Sequence, residues 1–288
     1  MLPPALHSAL NLIPGINIQT SQAIAGGDIN QAALLHCADG RRLFLKYNRH
    51  AHAADMLHKE RLGLSLLGAS RVIRMPKVIE QDNAPEDWAY LLMEYVPPGP
   101  RNRQFWMDFG EALAALHGST SALFGFAHDN YIGSLPQSNT RHENWPDFYA
   151  HERLRPQMEL ARKQGRLQYS DEQQLERLCA KLSSLCPDEP PALIHGDLWS
   201  GNFLCDLESK PLLIDPAACY AHREMDLAMT YLFGGFNPAF YAAYQEHRPL
   251  EPGFEGRVEV YQLYYLLVHV NLFGGGYVEQ VKGILGQF

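Results

Sequence analysis

The chain has 288 residues, enough for one large domain or two smaller ones with a sizeable core. Its apolar fraction of 46% and aromatic fraction of 11% exclude intrinsic disorder, and only 19% of residues are charged. Lys plus Arg number 24 against 32 Asp plus Glu, a net charge of −8 with no basic run, which argues against nucleic-acid binding because phosphate neutralisation dominates it.

Residues 1–21 read as a short amphipathic helix followed by a strand, and Gly26-Gly27 as a sharp turn. Residues 32–36 and 42–47 are short apolar runs separated by Ala38-Asp39-Gly40, the pattern of a hairpin. Residues 52–67 have helical spacing, with Met56, Leu57, Leu64 and Leu67 on one side. Residues 89–96 read as a buried strand, stopped by Pro97-Pro98-Gly99-Pro100. Beyond that linker the spacing predicts helices over 102–117, 146–163, 170–185, 226–233, 238–247 and 254–273. Between them, 192–194 and 212–214 are short apolar strands, each ending in polar residues. The chain therefore divides into a strand-rich part, 1–96, and a larger helical part, 97–288, with a hinge at about 94–100 and a ligand cleft expected at their junction.

The five cysteines (Cys37, Cys179, Cys186, Cys205 and Cys219) are scattered, with no CxxC pair, which reads as free thiols in a reducing cytoplasm rather than a zinc site. No signal peptide is expected at 1–13, and the longest apolar region, 261–270, is too short to span a bilayer, so no membrane association is expected. There is no Walker A lysine motif, GxGxxG, HExxH or GxSxG.

Residues 194–204 read IHGDLWSGNFL and place His195, Asp197 and Asn202 in the H-x-D-x-x-x-x-N spacing of a phosphotransfer loop. In that chemistry Asp197 accepts the proton of an acceptor hydroxyl, and Asn202 offers a carbonyl oxygen to Mg²⁺ across a tight loop eased by Gly201. The run Leu212-Leu213-Ile214-Asp215 then ends a strand in a second carboxylate suited to the same ion. Lys46 ends the strand Leu43-Phe44-Leu45 and points to the cleft, where Glu60 on the next helix can hold its ammonium for nucleotide phosphates. Gly26, Gly27, Asp28, Ile29 and Asn30 form a turn whose N–H groups can cradle phosphate. Met93, Glu94, Tyr95 and Val96 lead into the linker, where the Glu94 C=O and Val96 N–H can read an adenine edge.

With these residues in hand the chain resembles the fructosamine kinase (ketosamine-3-kinase) family, within the aminoglycoside-phosphotransferase and protein-kinase-like superfamily. The resemblance rests on Gly26-Gly27-x-Ile29-Asn30, Phe44-x-Lys46-x-Asn48, the loop from His195 to Asn202 and Ile214-Asp215-Pro216-Ala217. Tyr220-x-x-Arg223-Glu224-x-Asp226 and Phe273-Gly274-Gly275-Gly276-Tyr277 match as well, and Trp199, Arg223-Glu224 and Leu232-Phe233-Gly234-Gly235-Phe236 point to this branch in particular. It implies an α+β, two-lobed protein-kinase-like fold, with a small antiparallel-sheet lobe carrying one main helix and a larger, mostly helical lobe. It also implies ATP- and Mg²⁺-dependent phosphorylation of the sugar 3-hydroxyl of ketoamines, on small amines or glycated protein lysines, leading to deglycation. By that resemblance Asp197 is the base, Asn202 and Asp215 are the metal ligands, Lys46 and Glu60 serve the phosphates, and 94–96 bind adenine. Trp199, Gln137, Asn139 and Trp145 are the expected substrate-side cleft residues, and a cytoplasmic monomer or weak dimer is expected. Two positions depart from the pattern. Pro216-Ala217 follow Asp215 in place of Phe-Gly, and Ala221 stands where the family usually has Gly. The alternatives are a kinase for an aminoglycoside, choline or homoserine, or a non-catalytic nucleotide-binding scaffold.

Overall fold

The computed structural model describes residues 2–24 and 29–288. Its first part contains α1 (Pro4–Leu10), β1 (Ile18–Ile24), β2 (Gln31–Cys37), β3 (Arg42–Asn48), α2 (Ala53–Ala69), β4 (Val78–Ala84) and β5 (Trp88–Glu94). The strands form an antiparallel sheet in the order β1-β2-β3-β5-β4. The period of two along β3 and β5 sorts their side chains between two layers. Leu43, Leu45, Tyr47, Trp88, Tyr90 and Leu92 pack with α1 on one face. Phe44, Ala89, Leu91 and Met93 pack against Leu57 and Leu64 of α2 on the other. Lys46 shares the parity of Phe44 and so faces α2. The strand runs on past Lys46 to Asn48, two residues further than expected. β4 was not expected because it is polar (VIEQDNA), as befits a strand at the sheet edge with one partner.

The second part begins with α3 (Arg103–Leu116), β6 (Asn130–Ile132), β7 (Leu135–Gln137), α4 (Trp145–Phe148) and α5 (Arg155–Lys163). A π-helical turn, Tyr149–Leu154, joins α4 to α5, so the single helix expected at 146–163 is interrupted. α6 (Tyr169–Leu185), β8 (Ala192–Ile194), β9 (Phe203–Cys205), β10 (Pro211–Leu213) and β11 (Cys219–Ala221) follow. The chain continues through α7 (Glu224–Leu232), α8 (Pro238–His247), α9 (Phe254–Phe273) and α10 (Tyr277–Leu285). α9 is buried along most of its length and packs with α4–α7 and α10 into the main core. α3 and α8 pack with Phe203 and Leu213 in a second core.

The two parts meet through backbone as well as side chains. Leu213 N–H donates to Arg74 O at 3.0 Å, and Gly99 N–H donates to Cys205 O at 2.8 Å. A Cβ at Gly99 would lie 1.8 Å from Asp206 O, so only glycine permits this approach. The Arg74 guanidinium reaches Glu94 at 2.7 Å and Asp206 at 3.2 Å, tying the end of β5 to the β9–β10 turn.

Candidate active site

Two short antiparallel pairs set the site. β8 pairs with β11, and β9 pairs with β10. The loop 195–202 runs from β8 to β9, and 214–218 runs from β10 to β11, so both loops span the same gap between the pairs. They are bonded to each other. Ile214 N–H donates to Asn202 O at 3.1 Å, and His195 Nε2–H donates to Ile214 O at 2.8 Å. His195 Nδ1 accepts from Asp197 N–H at 3.2 Å, which requires a neutral ring, and burial lowers the His195 pKa accordingly.

Asp226, on α7 and fully buried, anchors the first loop. Its carboxylate accepts His195 N–H at 2.7 Å and Gly196 N–H at 2.8 Å, and meets His117 Nε2 at 3.2 Å. Gly196 has φ 83°, and a Cβ there would lie 2.2 Å from Ala217 O. The sharp turn therefore belongs to Gly196. Gly201, expected to ease the loop, instead makes room for the Trp199 ring, which a Cβ would meet at 2.4 Å.

Asp197 projects from this frame. Asn202 Nδ2 donates to Asp197 O at 2.8 Å and to its Oδ2 at 3.0 Å. Burial pushes the Asp197 carboxyl up to about 7, against the bond from Asn202, with Asp215 and Asp226 raising it further. A carboxyl near neutrality is matched to accepting a hydroxyl proton at physiological pH.

Lys46, Glu60 and Asp215 close the other wall. Lys46 Nζ meets Glu60 Oε1 at 2.7 Å and also bonds Asp215 Oδ1. Burial works against the Lys46 charge, but the carboxylates of Asp215 and Glu60 outweigh it and raise the pKa. Burial raises Glu60 to about 7 even with the ammonium beside it. α2 approaches closely because Gly63 has no side chain: a Cβ there would lie 3.0 Å from Pro216 Cγ. Asp215 stands two residues beyond β10, not at the strand end, in the left-handed region at φ 55°.

The oxygen donors suit a hard cation. Because Asn202 spends its amide N–H groups on Asp197, its carbonyl oxygen is left without a partner among the described residues. Asp215 is 39% exposed at its side chain and keeps one carboxylate oxygen beyond the Lys46 bond. One amide oxygen and one carboxylate fit Mg²⁺, which takes few protein ligands and completes its shell with water and phosphate. No cluster of three or more His, Cys, Asp or Glu suited to a metal occurs among the described residues.

On the sheet side, Asn48 Nδ2 donates to Ile29 O at 2.6 Å and to Asn30 Oδ1 at 3.2 Å, fixing the turn that precedes β2. Gly27 and Asp28, with Gly26, lie outside the described residues. Met93 is buried against α2, and Tyr95 is half-buried beneath the Arg42 guanidinium at 4.8 Å. The Glu94 side chain is taken by Arg74. Val96 N–H meets no acceptor among the described residues.

Three expected cleft residues are not open to a cleft. Trp145 is 3% exposed and stacks on Tyr149 at 4.9 Å within the main core. Gln137 and Asn139 are 3% and 1% exposed and belong to a buried network. In it, both side-chain amides donate to Asn130 Oδ1, at 2.7 and 2.9 Å, and Asn130 Nδ2 donates to Ala218 O at 3.0 Å. Gln137 also reaches Ala217 O at 3.4 Å, and Arg153 donates to Asn139 Oδ1 at 2.7 Å. These side chains hold the 215–218 segment from behind. The fourth, Trp199, is 38% exposed beside Asp197. Arg223 and Glu224 are internal ties: Arg223 pairs with Glu189 at 2.7 Å and Glu224 with Arg257 at 2.6 Å.

A five-stranded antiparallel sheet over a mostly helical lobe, with a phosphotransfer loop at their junction, defines a protein-kinase-like fold. The comparisons with known proteins narrow the class. A family model described as fructosamine kinase matches residues 5–288. The chain is 41% identical over 274 residues to a "Probable ketoamine kinase" of Synechocystis sp., covering 94% of this chain and 90% of that one. It is 37% identical over 274 residues to the chloroplastic protein-ribulosamine 3-kinase of Arabidopsis thaliana, covering 92% and 81%. A crystal structure of a candidate fructosamine-3-kinase from Thermobifida fusca superposes with TM-score 0.86 at 34% identity, covering 98% and 99%. The chain belongs to the fructosamine kinase family.

Proposed function

We propose that this chain is an ATP-dependent kinase that phosphorylates the 3-hydroxyl of fructosamine- or ribulosamine-type ketoamines, on small amines or glycated lysines. The 3-phosphoketoamine then decomposes and frees the amine. The observation that carries this reading is the convergence of Lys46, Asp197, Asn202 and Asp215 on one cleft in a member of this family.

The hinge is placed at 94–100, between an N-terminal lobe (1–96) and a C-terminal lobe (97–288). The Glu94 C=O and Val96 N–H take the adenine edge, beside Met93 and Tyr95. Ile29 and Asn30, with Gly27 and Asp28, line the phosphates. Lys46 offers its ammonium to the α- and β-phosphates, held there by Glu60. Asn202 and Asp215 would hold Mg²⁺, which would neutralise phosphate charge. Asp197 orients the 3-hydroxyl and takes its proton as the O3–P bond forms and the bond to the ADP oxygen breaks. Trp199 offers a face to the sugar. A cytoplasmic location is part of this reading; no helix among the described residues is long and apolar enough to cross a membrane.

The test is ADP release across a panel of fructose-, ribulose- and erythrulose-amines beside aminoglycosides, with products read by mass. Ketoamine-dependent release and a 3-phosphorylated product are expected. Turnover confined to aminoglycosides would overturn the reading.

A further inference from the structure

A run of aromatic side chains leads from the catalytic loop to the surface, and only its first member has been given a part above. Trp199 meets Phe233 edge-on at 6.1 Å between ring centroids. Phe233 packs on His269 at 5.0 Å, and His269 on Phe273 at 5.6 Å and Tyr277 at 4.9 Å. The rings come from the catalytic loop, the end of α7, the last turn of α9 and the start of α10. Unlike the rings around Trp145, they are not sealed in. Phe273 is 56% exposed and Trp199 38%, so the two ends of this continuous run both present apolar ring surface to solvent.

Two further observations fix what this ledge can take. First, glycines leave it uncovered. Gly234 and Gly235 follow Phe233 with φ 95° and 76°, and Gly274 and Gly275 follow Phe273 with φ 68° and 62°. A Cβ at Gly234, Gly275 or Gly276 would meet nothing within 4 Å, so no packing constraint forces the absence of side chains there. Second, the ledge stands at the mouth of the cleft. A Cβ on Gly133, in the β6–β7 turn, would meet Leu272 at 3.0 Å and Ile29 at 3.7 Å, which puts the end of α9 beside the phosphate-loop side of the sheet. Within the ledge, His269 donates Nδ1–H to Tyr265 O at 2.7 Å, and its Nε2 has no partner among the described residues.

We propose that this ledge is the subsite for the amine-bearing part of the substrate, the group R of an R–NH–CH₂–CO ketoamine, including the hydrocarbon stem of a glycated lysine. This rests on the ketoamine reading above. With the 3-hydroxyl at Asp197, the nitrogen on carbon 1 is only a few bonds away and R projects outward from the sugar. The path Trp199, Phe233, His269, Phe273 is the apolar route from there to solvent. Ring faces suit an alkyl or aryl chain and, where the nitrogen is protonated, its charge. The uncovered glycine turns leave room for an amine that is itself attached to a larger molecule.

The experiment compares fructosyl-methylamine with fructosyl-hexylamine on wild type and Phe273→Ala, the sugar being constant. Wild type is expected to favour the hexyl compound by about tenfold in kcat/KM, through KM. Phe273→Ala is expected to reduce that preference to about threefold or less, with kcat and the methyl compound unchanged. Phe233→Leu, which keeps an apolar side chain, should fall between the two. Equal wild-type turnover of the two compounds, or an equal loss on both in Phe273→Ala, would overturn the subsite. If wild type phosphorylates no ketoamine, the functional reading fails and the subsite falls with it.

Discussion

The paired loops that hold Asp197 and Asp215 and the aromatic ledge beside them are built on opposite terms. In the loops, side chains from distant elements cap backbone groups: Asp226 holds two N–H groups of 195–196, and Asn130 and Gln137 hold the carbonyls of 217–218. Each bond is buried, where an orphaned polar group is most costly. The ledge has half-buried and exposed rings and glycine turns at the edge of the main core. The positions proposed to orient phosphate and proton are overdetermined, whereas the surface proposed for the variable part of the substrate is left open. The contrast predicts that substitutions in the loops act on folding and chemistry together, and substitutions on the ledge on selectivity alone.

The largest effect is expected at Asp226. Asp226→Asn turns an amide N–H toward a backbone N–H, and should lower the unfolding free energy by about 3–5 kcal/mol in urea titrations. Turnover in the folded fraction should drop about 10²-fold, because the loop carrying Asp197 shifts.

Next comes acid. His222 is fully buried, with Nε2–H donating to Pro187 O at 3.3 Å and Nδ1 accepting Glu224 N–H at 3.3 Å, so only the neutral ring fits. Burial lowers its pKa from 6.5 to about 4, against Glu189, while Arg223 and Arg257 lower it further. The unfolded chain therefore binds the proton first. This contribution is full above about pH 6.5 and is lost as pH falls towards 4, on the order of 3 kcal/mol in all. His117 and His195 shift in the same direction, whereas Asp197 and Glu60, both raised to about 7, gain stability as they take up protons, so the His222 contribution is read as a difference between wild type and variant. His222→Phe, which stays neutral, should gain urea stability relative to wild type as pH falls from 7 to 5.

A smaller loss is expected at Asn130. Asn130→Ala frees Ala218 O and leaves the Gln137 and Asn139 amides short of an acceptor, about 1–3 kcal/mol. Because the 215–218 segment relaxes, the KM for Mg·ATP should rise more than kcat falls. Smallest is Phe273→Ala, which should change unfolding free energy by less than about 0.5 kcal/mol while altering amine preference. A stability loss there as large as that of Asn130→Ala would erase the contrast between loops and ledge.

What could be read from the sequence follows the same divide between local and long-range causes. Lys46 and Glu60 were legible as a pair because a short apolar strand and the helix after it carry them, in the order a phosphotransfer site requires. The spacing of Asp197, Asn202 and Asp215 was legible because one loop and the segment just after one short apolar strand carry them. The three-residue strands β6, β7, β9 and β11 are too short for any period to show, and β4 is too polar. Gln137 and Asn139 sit in Pro136-Gln137-Ser138-Asn139, which reads as an exposed loop, and partners from elsewhere, Asn130, Arg153 and Tyr264 among them, make their burial tolerable. Trp145 was legible as an aromatic but not as core, since Tyr261, which packs on it beside the local Tyr149, comes from α9. Asp226 stood in the sequence only as the end of Tyr220-x-x-Arg223-Glu224-x-Asp226, with nothing to mark it as the anchor of the loop. The backbone groups it caps lie 30 and 31 residues away.

The most direct test of the site is Asp197→Asn, assayed for nucleotide binding by calorimetry and for ketoamine-dependent ADP release. Binding of Mg·ATP should persist while turnover falls by about 10²–10⁴-fold, the usual loss on removing a general base. Near-normal turnover in that variant would contradict the assignment of Asp197 as the base.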